Sequence, residues 1–277
     1  MSSIRNKIDF AVVFTVKNAN PNGDPLNGNR PRINFNGIGE MSDVCIKRKI
    51  RNRWQDAGMD IFVQSDDKKS DDAKSLRERS DSLIKSAGKD SGKFASMACE
   101  RWIDARAFGQ VFAFKGKDDG VSIGIRGPVS IHPAFSTSPV TITSTQITKS
   151  VNSETGEKKG SDTMGMKYRV DYGTYVFYGS VNPQLATKTG FSDDDAEALK
   201  EALKTLFQND SSSARPEGSM DVMCVYWWKH NNPNGQYSSA RVHGSLSVKD
   251  SVSESGITEI TIKCSELEGL VPEIYNC

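Results

Sequence analysis

Ile8, Phe10, Val12, Phe14 and Val16 alternate with Asp9, Ala11, Val13, Thr15 and Lys17 close to the start of the chain. Period two in β-branched and aromatic residues predicts a strand with one face in a core. The next segment, KNANPNGDPLNGNRPRINFNGIGEM (residues 17–41), is a polar loop rich in Asn, Gly and Pro. SDVCIKRKIRNRW (residues 42–54) then predicts a helix that Ser42 or Asp43 can cap. On that helix Ile46, Ile50, Trp54 and Ala57 fall within about 80° of arc, an apolar stripe that packs on the sheet. Lys47, Arg48 and Arg51 fall mostly on the neighbouring arc. A buried strand, a rigid polar loop and a cationic helix together form a device for holding a polyanion.

The rest of the chain extends this plan. Residues 58–104 are charge-dense, with Phe94, Met97, Ala98, Arg101 and Trp102 at helical spacing, and predict an inserted, mainly helical unit. Strand signal returns over 121–132 (VSIGIRGPVSIH). Residues 140–168 predict a projecting hairpin, with VTITSTQITKSV and SDTMGMKYRV as arms around the turn NSETGEKKG. The segment YRVDYGTYVFYGSVN is a core strand. In SDDDAEALKEALKTLF, Ser192 and Asp195 fit a capping box, and Ala196, Leu199, Leu203 and Leu206 make a buried stripe. DVMCVYWWKH (221–230) is another strand, and two short strands near 242–248 and 257–264 close the chain. Without the insertions the order is βαββαβ, with strands at 8–16, 121–132, 168–179 and 221–229 and helices at 43–57 and 192–208. That is the ferredoxin-like or RRM-like plan of the α+β class.

Composition narrows the function classes. Hydrophobic residues make up 36% and the mean hydropathy is −0.52, as in a soluble protein with long polar excursions. No apolar run approaches the roughly 18–20 residues of a membrane span, and MSSIRNKID has no signal-peptide core. Cys45, Cys99, Cys224, Cys264 and Cys277 are odd in number and form no C-x-x-C, which points to reduced thiols and a cytoplasmic location. Net charge is +1, unevenly spread. Residues 1–60 hold ten Lys/Arg against six Asp/Glu, whereas residues 190–277 hold seven against fourteen. A basic front and an acidic back suit a phosphate backbone, and also head-to-tail stacking of copies.

Lys47, Arg48, Lys49, Arg51 and Arg53 face only Asp43 within residues 43–53, so like charges four apart repel unless a polyanion relieves them. The alternative is a solvated charged face. Asn18, Asn20, Asn22 and Gly23 match the start of a calcium loop, but position 12 is Asn29 and too few anionic ligands are present, so no metal site is expected. The turn suits phosphate or sugar contacts better. His132, His230 and His243 form no catalytic signature, no nucleotide-binding glycine motif occurs, and Asp24, Asp104 and Asp171 stand isolated. No catalytic residue and no cofactor is expected. Met164 and Met166, on an arm of the hairpin, can wedge between bases if the arm projects.

NPNGDP (20–25), GNRPR (28–32), DVCIKRKIRN (43–52), DARAFG (104–109), GPVSIHPAFSTSPV (127–140), KYRVDYGTYVFYGSVNP (167–183) and SSARPEGSM (212–220) resemble the backbone subunit of type I CRISPR Cascade complexes, most closely the I-C form. The resemblance implies membership of the RAMP superfamily and a non-catalytic protein. It implies a discontinuous RRM-like palm (1–57, 121–139 and 167–277), a helical fingers insertion (58–120) and a β-hairpin thumb (140–166). Copies would assemble along a guide RNA, hold its phosphates and display its bases to target DNA. Neighbouring copies, other Cascade subunits and a helicase-nuclease recruited by the assembled complex are the implied partners.

By the same resemblance Lys47, Arg48, Lys49 and Arg51 hold guide phosphates, and Asn20, Asn22 and Arg30 belong to the loop after the first strand. Arg106, His132 and Phe135 lie in matching blocks. Met164 and Met166 fall where the thumb returns, and Ser213 and Arg215 sit in a small-residue loop near the guide. Residues 60–92 match nothing in the family, and GPVSIH lacks the polar residue expected after GPV. The rival reading is a metal-dependent ribonuclease of the same superfamily, cutting guide-paired RNA. A third is an RRM-like module acting alone on cellular RNA.

Overall fold

The structure is a computed structural model that describes residues 3–114, 121–148, 164–252 and 258–277. Its first strand, β1 (Ile8–Ala19), leads through the short strands β2 (Gly23–Asp24), β3 (Arg30–Pro31) and β4 (Ile38–Met41) to helix α1 (Asp43–Asp56). Helices α2 (Leu76–Ala87), α3 (Ser91–Arg101) and α4 (Ile103–Phe108) follow, then strands β5 (Gly109–Phe114), β6 (Val121–Arg126), β7 (Val129–Ile131), β8 (Ala134–Pro139), β9 (Ile142–Thr148) and the long β10 (Met164–Val181). The C-terminal third holds α5 (Pro183–Thr189), α6 (Asp193–Lys204), β11 (Met220–Lys229), α7 (Ser239–Gly244), β12 (Leu246–Val252), β13 (Thr258–Cys264) and β14 (Glu273–Asn276).

An 8-stranded antiparallel sheet organises the chain, in the order β14-β11-β1-β10-β8-β4, with β7 and β9 also paired to β10. β1 lies at its centre, in register with β10 from Ile8↔Val181 to Ala19↔Val170, and with β11 from Ile8↔Lys229. The order β11, β1, β10 and then β7 and β8 is that of a ferredoxin-like βαββαβ sheet, and the fold class is α+β. The alternation in β1 divides its side chains between two cores. Phe10, Val12, Phe14 and Val16 pack with Ile46, Ile50 and Trp54 of α1 and Leu199 and Leu203 of α6. Ala11 and Val13 pack on the opposite face with Trp228, Val242, Leu246 and Leu270. Each large apolar side chain buried this way contributes about 1.5–3 kcal/mol.

Local chemistry explains the ends of the helices. The Ser42 side chain accepts a hydrogen bond from the N–H of Cys45 and starts α1. Ser192 and Asp195 form the expected capping box of α6, with three aspartates in its first turn. The indole N–H of Trp54 donates to the Ala198 carbonyl at 3.1 Å and joins the two helices. Close packing is strict where β1 and β10 cross: a Cβ on Gly179 would lie 2.2 Å from the Phe10 ring.

Several expectations need correction. The single strand expected over 121–132 is two, because the Gly127–Pro128 step breaks it. A Cβ at Gly127 would lie 2.3 Å from the Ala107 carbonyl, so the chain turns tightly there. β6 pairs with β5 and not with the main sheet, and Phe112, Ile123 and Ile125 of this antiparallel pair pack with the helices of the 58–104 segment. Phe62, Leu83, Phe94, Ala98, Trp102 and Phe112 give this unit its own core. Residues 242–244, read as strand, finish α7, whose first turn is capped by Ser238. Ala57, assigned to the buried stripe, is an exposed cap residue. The hairpin arms pair as β9 and β10, from Ile142↔Val170 to Thr148↔Met164, while the expected turn lies outside the described residues.

Candidate nucleic-acid interface

The loop after β1 is built around two asparagines. Asn20 is buried; its side-chain N–H donates to the Asn29 carbonyl at 2.7 Å, and its backbone N–H donates to the Ala214 carbonyl at 2.9 Å. Its side-chain oxygen Oδ1 is buried with no hydrogen-bond partner among the described residues. Asn22 Oδ1 accepts from both the N–H and the hydroxyl of Ser42, which locks the loop to the start of α1. The Asn29 side chain packs directly on the Gly23 backbone, where a Cβ would lie 2.0 Å from Asn29 Oδ1.

These contacts create a cleft of about 270 Å³ lined by Asn20, Gly28 and Asn29, by Ile147, Met166, Lys167 and Tyr168, and by Ser213 and Ala214. Beside it the Arg30 guanidinium lies 4.6 Å from the centre of the Tyr168 ring, a cation–π stack that holds both planes in place. Met164, Met166 and Tyr168 share one side of β10 by strand alternation, and the two methionines are more than half exposed. The cleft therefore joins Asn20, Met166 and Ser213, which the sequence analysis marked separately. It also holds Gly28, Asn29, Ile147, Lys167 and Tyr168, which that analysis did not select.

The cationic helix departs most from expectation. Its charges do not repel one another uncompensated, because acids distant in sequence meet Arg48, Lys49 and Arg51, and acids within the helix meet Lys47 and Arg53. Lys49 is buried, pairs with Asp210, and lies over the Phe207 ring. Arg215 donates to the same Asp210 carboxylate at 3.2 Å. Burial pushes the Lys49 ammonium below its ordinary pKa, against the pull of Asp210. Arg51 Nε donates to Asp104 at 2.8 Å, and the buried Asp104 also accepts the N–H groups of Phe62 and Val63. Lys47 pairs with Asp43 at 2.9 Å, and Arg48 pairs with Asp67 at 3.1 Å while staying 57% exposed. Lys47 and Arg48 are thus the accessible cations among the four marked by the resemblance. The 210–215 loop, which holds Lys49 through Asp210, also supplies Ser213 and Ala214 to the cleft.

Three other marked residues lie elsewhere. Arg106 forks onto Asp195 at 2.7 and 2.9 Å and donates to the Cys99 carbonyl, fastening α4 to the cap of α6. His132 and Phe135 are exposed on the opposite face of the sheet from α1, with the His132 ring edge-on to His243. All five cysteines are free thiols, and burial pushes Cys99 and Cys224 up to about 11. Among the described residues no cluster of three or more His, Cys, Asp or Glu could hold a metal ion, and no helix is long and apolar enough to cross a membrane.

Comparison with known proteins places this geometry. The family model described as CRISPR-associated protein Cas7 matches residues 6–265. A CRISPR-associated protein Cas7 from Haloferax volcanii is 26% identical over 281 residues, covering 95% of this chain and 82% of its relative. Among solved structures, a chain of a CRISPR RNA-guided surveillance complex in a pre-nicking state aligns over 84% of this chain and 81% of its own, with a TM-score of 0.50 and 18% identity. A second surveillance-complex chain aligns over 80% and 68%, with a TM-score of 0.44 and 17% identity. This chain belongs to the Cas7 family of CRISPR-associated proteins.

Proposed function

We propose that this chain is a non-catalytic backbone subunit of a type I-C Cascade complex, and that copies of it line a guide RNA and display its bases to target DNA. The observation that carries this reading is the cleft where Asn20, Met166 and Ser213 converge beside the Arg30–Tyr168 stack. Such a cleft offers what sequence-independent RNA binding needs: a planar stack for a base, and polar backbone and amide groups for sugar and phosphate. Lys47 and Arg48 are the phosphate contacts, and Lys49, Arg51, Arg106 and Asn22 position the elements that carry the site. Met164 and Met166 press against bases from the hairpin. The surveillance complexes among the structural neighbours are named as RNA-guided, which supports guide RNA and further complex subunits as partners.

The test is RNA binding by the double variant Lys47→Ala, Arg48→Ala as a function of salt. Loss of two phosphate contacts lowers the slope of log K against log salt by about 1.4 on single-stranded RNA. RNA co-purification and a salt slope equal to those of the parent chain would overturn the assignment. Cleavage of guide-paired RNA at regular intervals on addition of Mg²⁺ or Mn²⁺ would instead establish the ribonuclease reading.

A further inference from the structure

The turn between β3 and β4 holds the most exposed aromatic side chain among the described residues, and it holds it rigidly. Asn34 Oδ1 accepts the N–H groups of Asn36 at 2.9 Å and Ile38 at 3.1 Å, and the Asn34 N–H donates to the Ile38 carbonyl. Gly37 takes φ +76 and its N–H closes on the Asn34 carbonyl at 3.0 Å. Phe35, inside this clasp, is fully exposed. A bare phenyl ring held clear of the fold by a rigid turn gains free energy when another apolar surface covers it. Phe35 lies next to β4, the outermost strand at one edge of the main sheet.

The opposite edge is β14, and there the chain forms an apolar groove of about 660 Å³. Leu270 is buried in it, while Val271 and Ile274 are 83% and 51% exposed. This groove is also set in advance. The Leu270 N–H donates to the Leu267 carbonyl, Tyr237 donates to the Glu268 carbonyl, and Gln236 donates to that of Gly269. Glu266 and Glu268 line the groove, exposed and without an ion pair among the described residues. Arg32, half-exposed and paired with Asp24 at 3.4 Å, stands three residues before Phe35.

We infer that the Phe35 turn of one copy seats in the Leu267–Ile274 groove of the next copy. The two features are complementary in polarity and in charge, since the ring and its neighbouring arginine meet an apolar groove with an acidic border. The charge balance of the whole chain agrees, with +4 over residues 1–60 and −7 over residues 190–277. Because ring and groove lie on opposite edges of one sheet, the contact is heterologous and leaves a free ring and a free groove at the two ends of every assembly. This inference rests on the reading that copies of the chain line up side by side, and it names the surfaces they use.

The experiment compares the full-length chain, freed of RNA, with Phe35→Ala and Val271→Glu by sedimentation over a concentration series. Circular dichroism checks that both exposed-site variants fold. The parent chain is expected to form species larger than two copies, and each variant alone to remain a single copy. Phe35→Ala keeps its groove and Val271→Glu keeps its ring, so mixing them is expected to give two-copy species and nothing larger. A parent chain that stays monomeric throughout, or variants that associate like the parent, would overturn the inference. Binding to a single-stranded RNA of about 6 nucleotides is measured alongside. Loss of that binding by Phe35→Ala with normal association assigns the ring to RNA and also overturns the inference. Association as expected, with no RNA binding by the parent chain, supports the interface and removes the guide-RNA reading instead.

Discussion

Lys49 shows how little a residue's place in a basic run says about its task. Its ammonium is buried against Asp210, and Asp210 in turn holds Arg215. Breaking a buried ion pair from one side leaves the other charge uncompensated, which costs about 3–5 kcal/mol, whereas a replacement that leaves no charge unpaired, with apolar side chains of similar volume, is often near neutral. The two partners are therefore unequal. Asp210→Ala strands the Lys49 charge and is expected to lower unfolding free energy by about 3–5 kcal/mol. Lys49→Met leaves Asp210 paired with Arg215 and is expected to change it by about 1 kcal/mol or less. Urea denaturation of both variants measures the difference. If Lys49→Met instead folds normally and releases co-purified RNA, Lys49 grips phosphate directly.

At the scale of elements, Asp104 is the link between the inserted unit and the main sheet. One carboxylate accepts from Arg51 of α1 and from the Phe62 and Val63 N–H groups, where the chain enters the inserted unit. Asp104→Ala is expected to destabilise the protein by about 3–5 kcal/mol and to raise amide exchange first at residues 61–64. Asp104→Asn is expected to cost less, because its amide oxygen still accepts from Phe62. Equal exchange in both variants and the parent would remove Asp104 from this role. The link also shows what could be read from residues alone. The Ser192–Asp195 capping box, the α6 stripe and the β1 alternation are local patterns, carried by neighbours within a few positions. Asp104 was an isolated carboxylate in sequence, and its partner Arg51 is 53 residues away. Lys49 and Asp210 are 161 residues apart, and Arg106 and Asp195 are 89 apart. No period or spacing reports such pairs, so the helix looked uncompensated. For the same reason the Asn20, Met166 and Ser213 segments could be marked singly, while the Arg30–Tyr168 stack between them could not.

For the whole molecule, the buried Asp9 and His243 shape the response to acid. Asp9, at the start of the central strand, has no exposed surface. Its carboxylate lies 3.1 Å from Lys7, 2.9 Å from His230 at the end of β11, and 3.6 Å from His243 of α7. The backbone N–H of Gln236 donates to Nδ1 of His230, so Nε2 carries the proton toward Asp9. His243 donates to the Gly179 carbonyl at 3.1 Å and stacks on Tyr178. This cluster ties β1, β10, β11 and α7 together. Burial pushes the Asp9 carboxyl up, but hydrogen bonds from His230 and Ser239 together with the Lys7 charge outweigh it, and the net shift is downward from 3.8. Burial pushes His243 below its ordinary 6.5, against the opposing pull of Asp9. Below pH 6.5 the unfolded chain therefore binds a proton at His243 that the folded chain refuses, and stability falls as the pH drops. The Asp9 contribution is complete above 3.8 and is lost as the pH falls further, through its folded value. Both groups act with the same sign, in separate windows. One proton corresponds to a slope of at most about 1.4 kcal/mol per pH unit. Urea midpoints between about pH 7.5 and pH 5 are expected to decline, and His243→Gln, which keeps a donor for Gly179, is expected to flatten that decline. An undiminished slope in the variant would place the acid sensitivity outside this cluster.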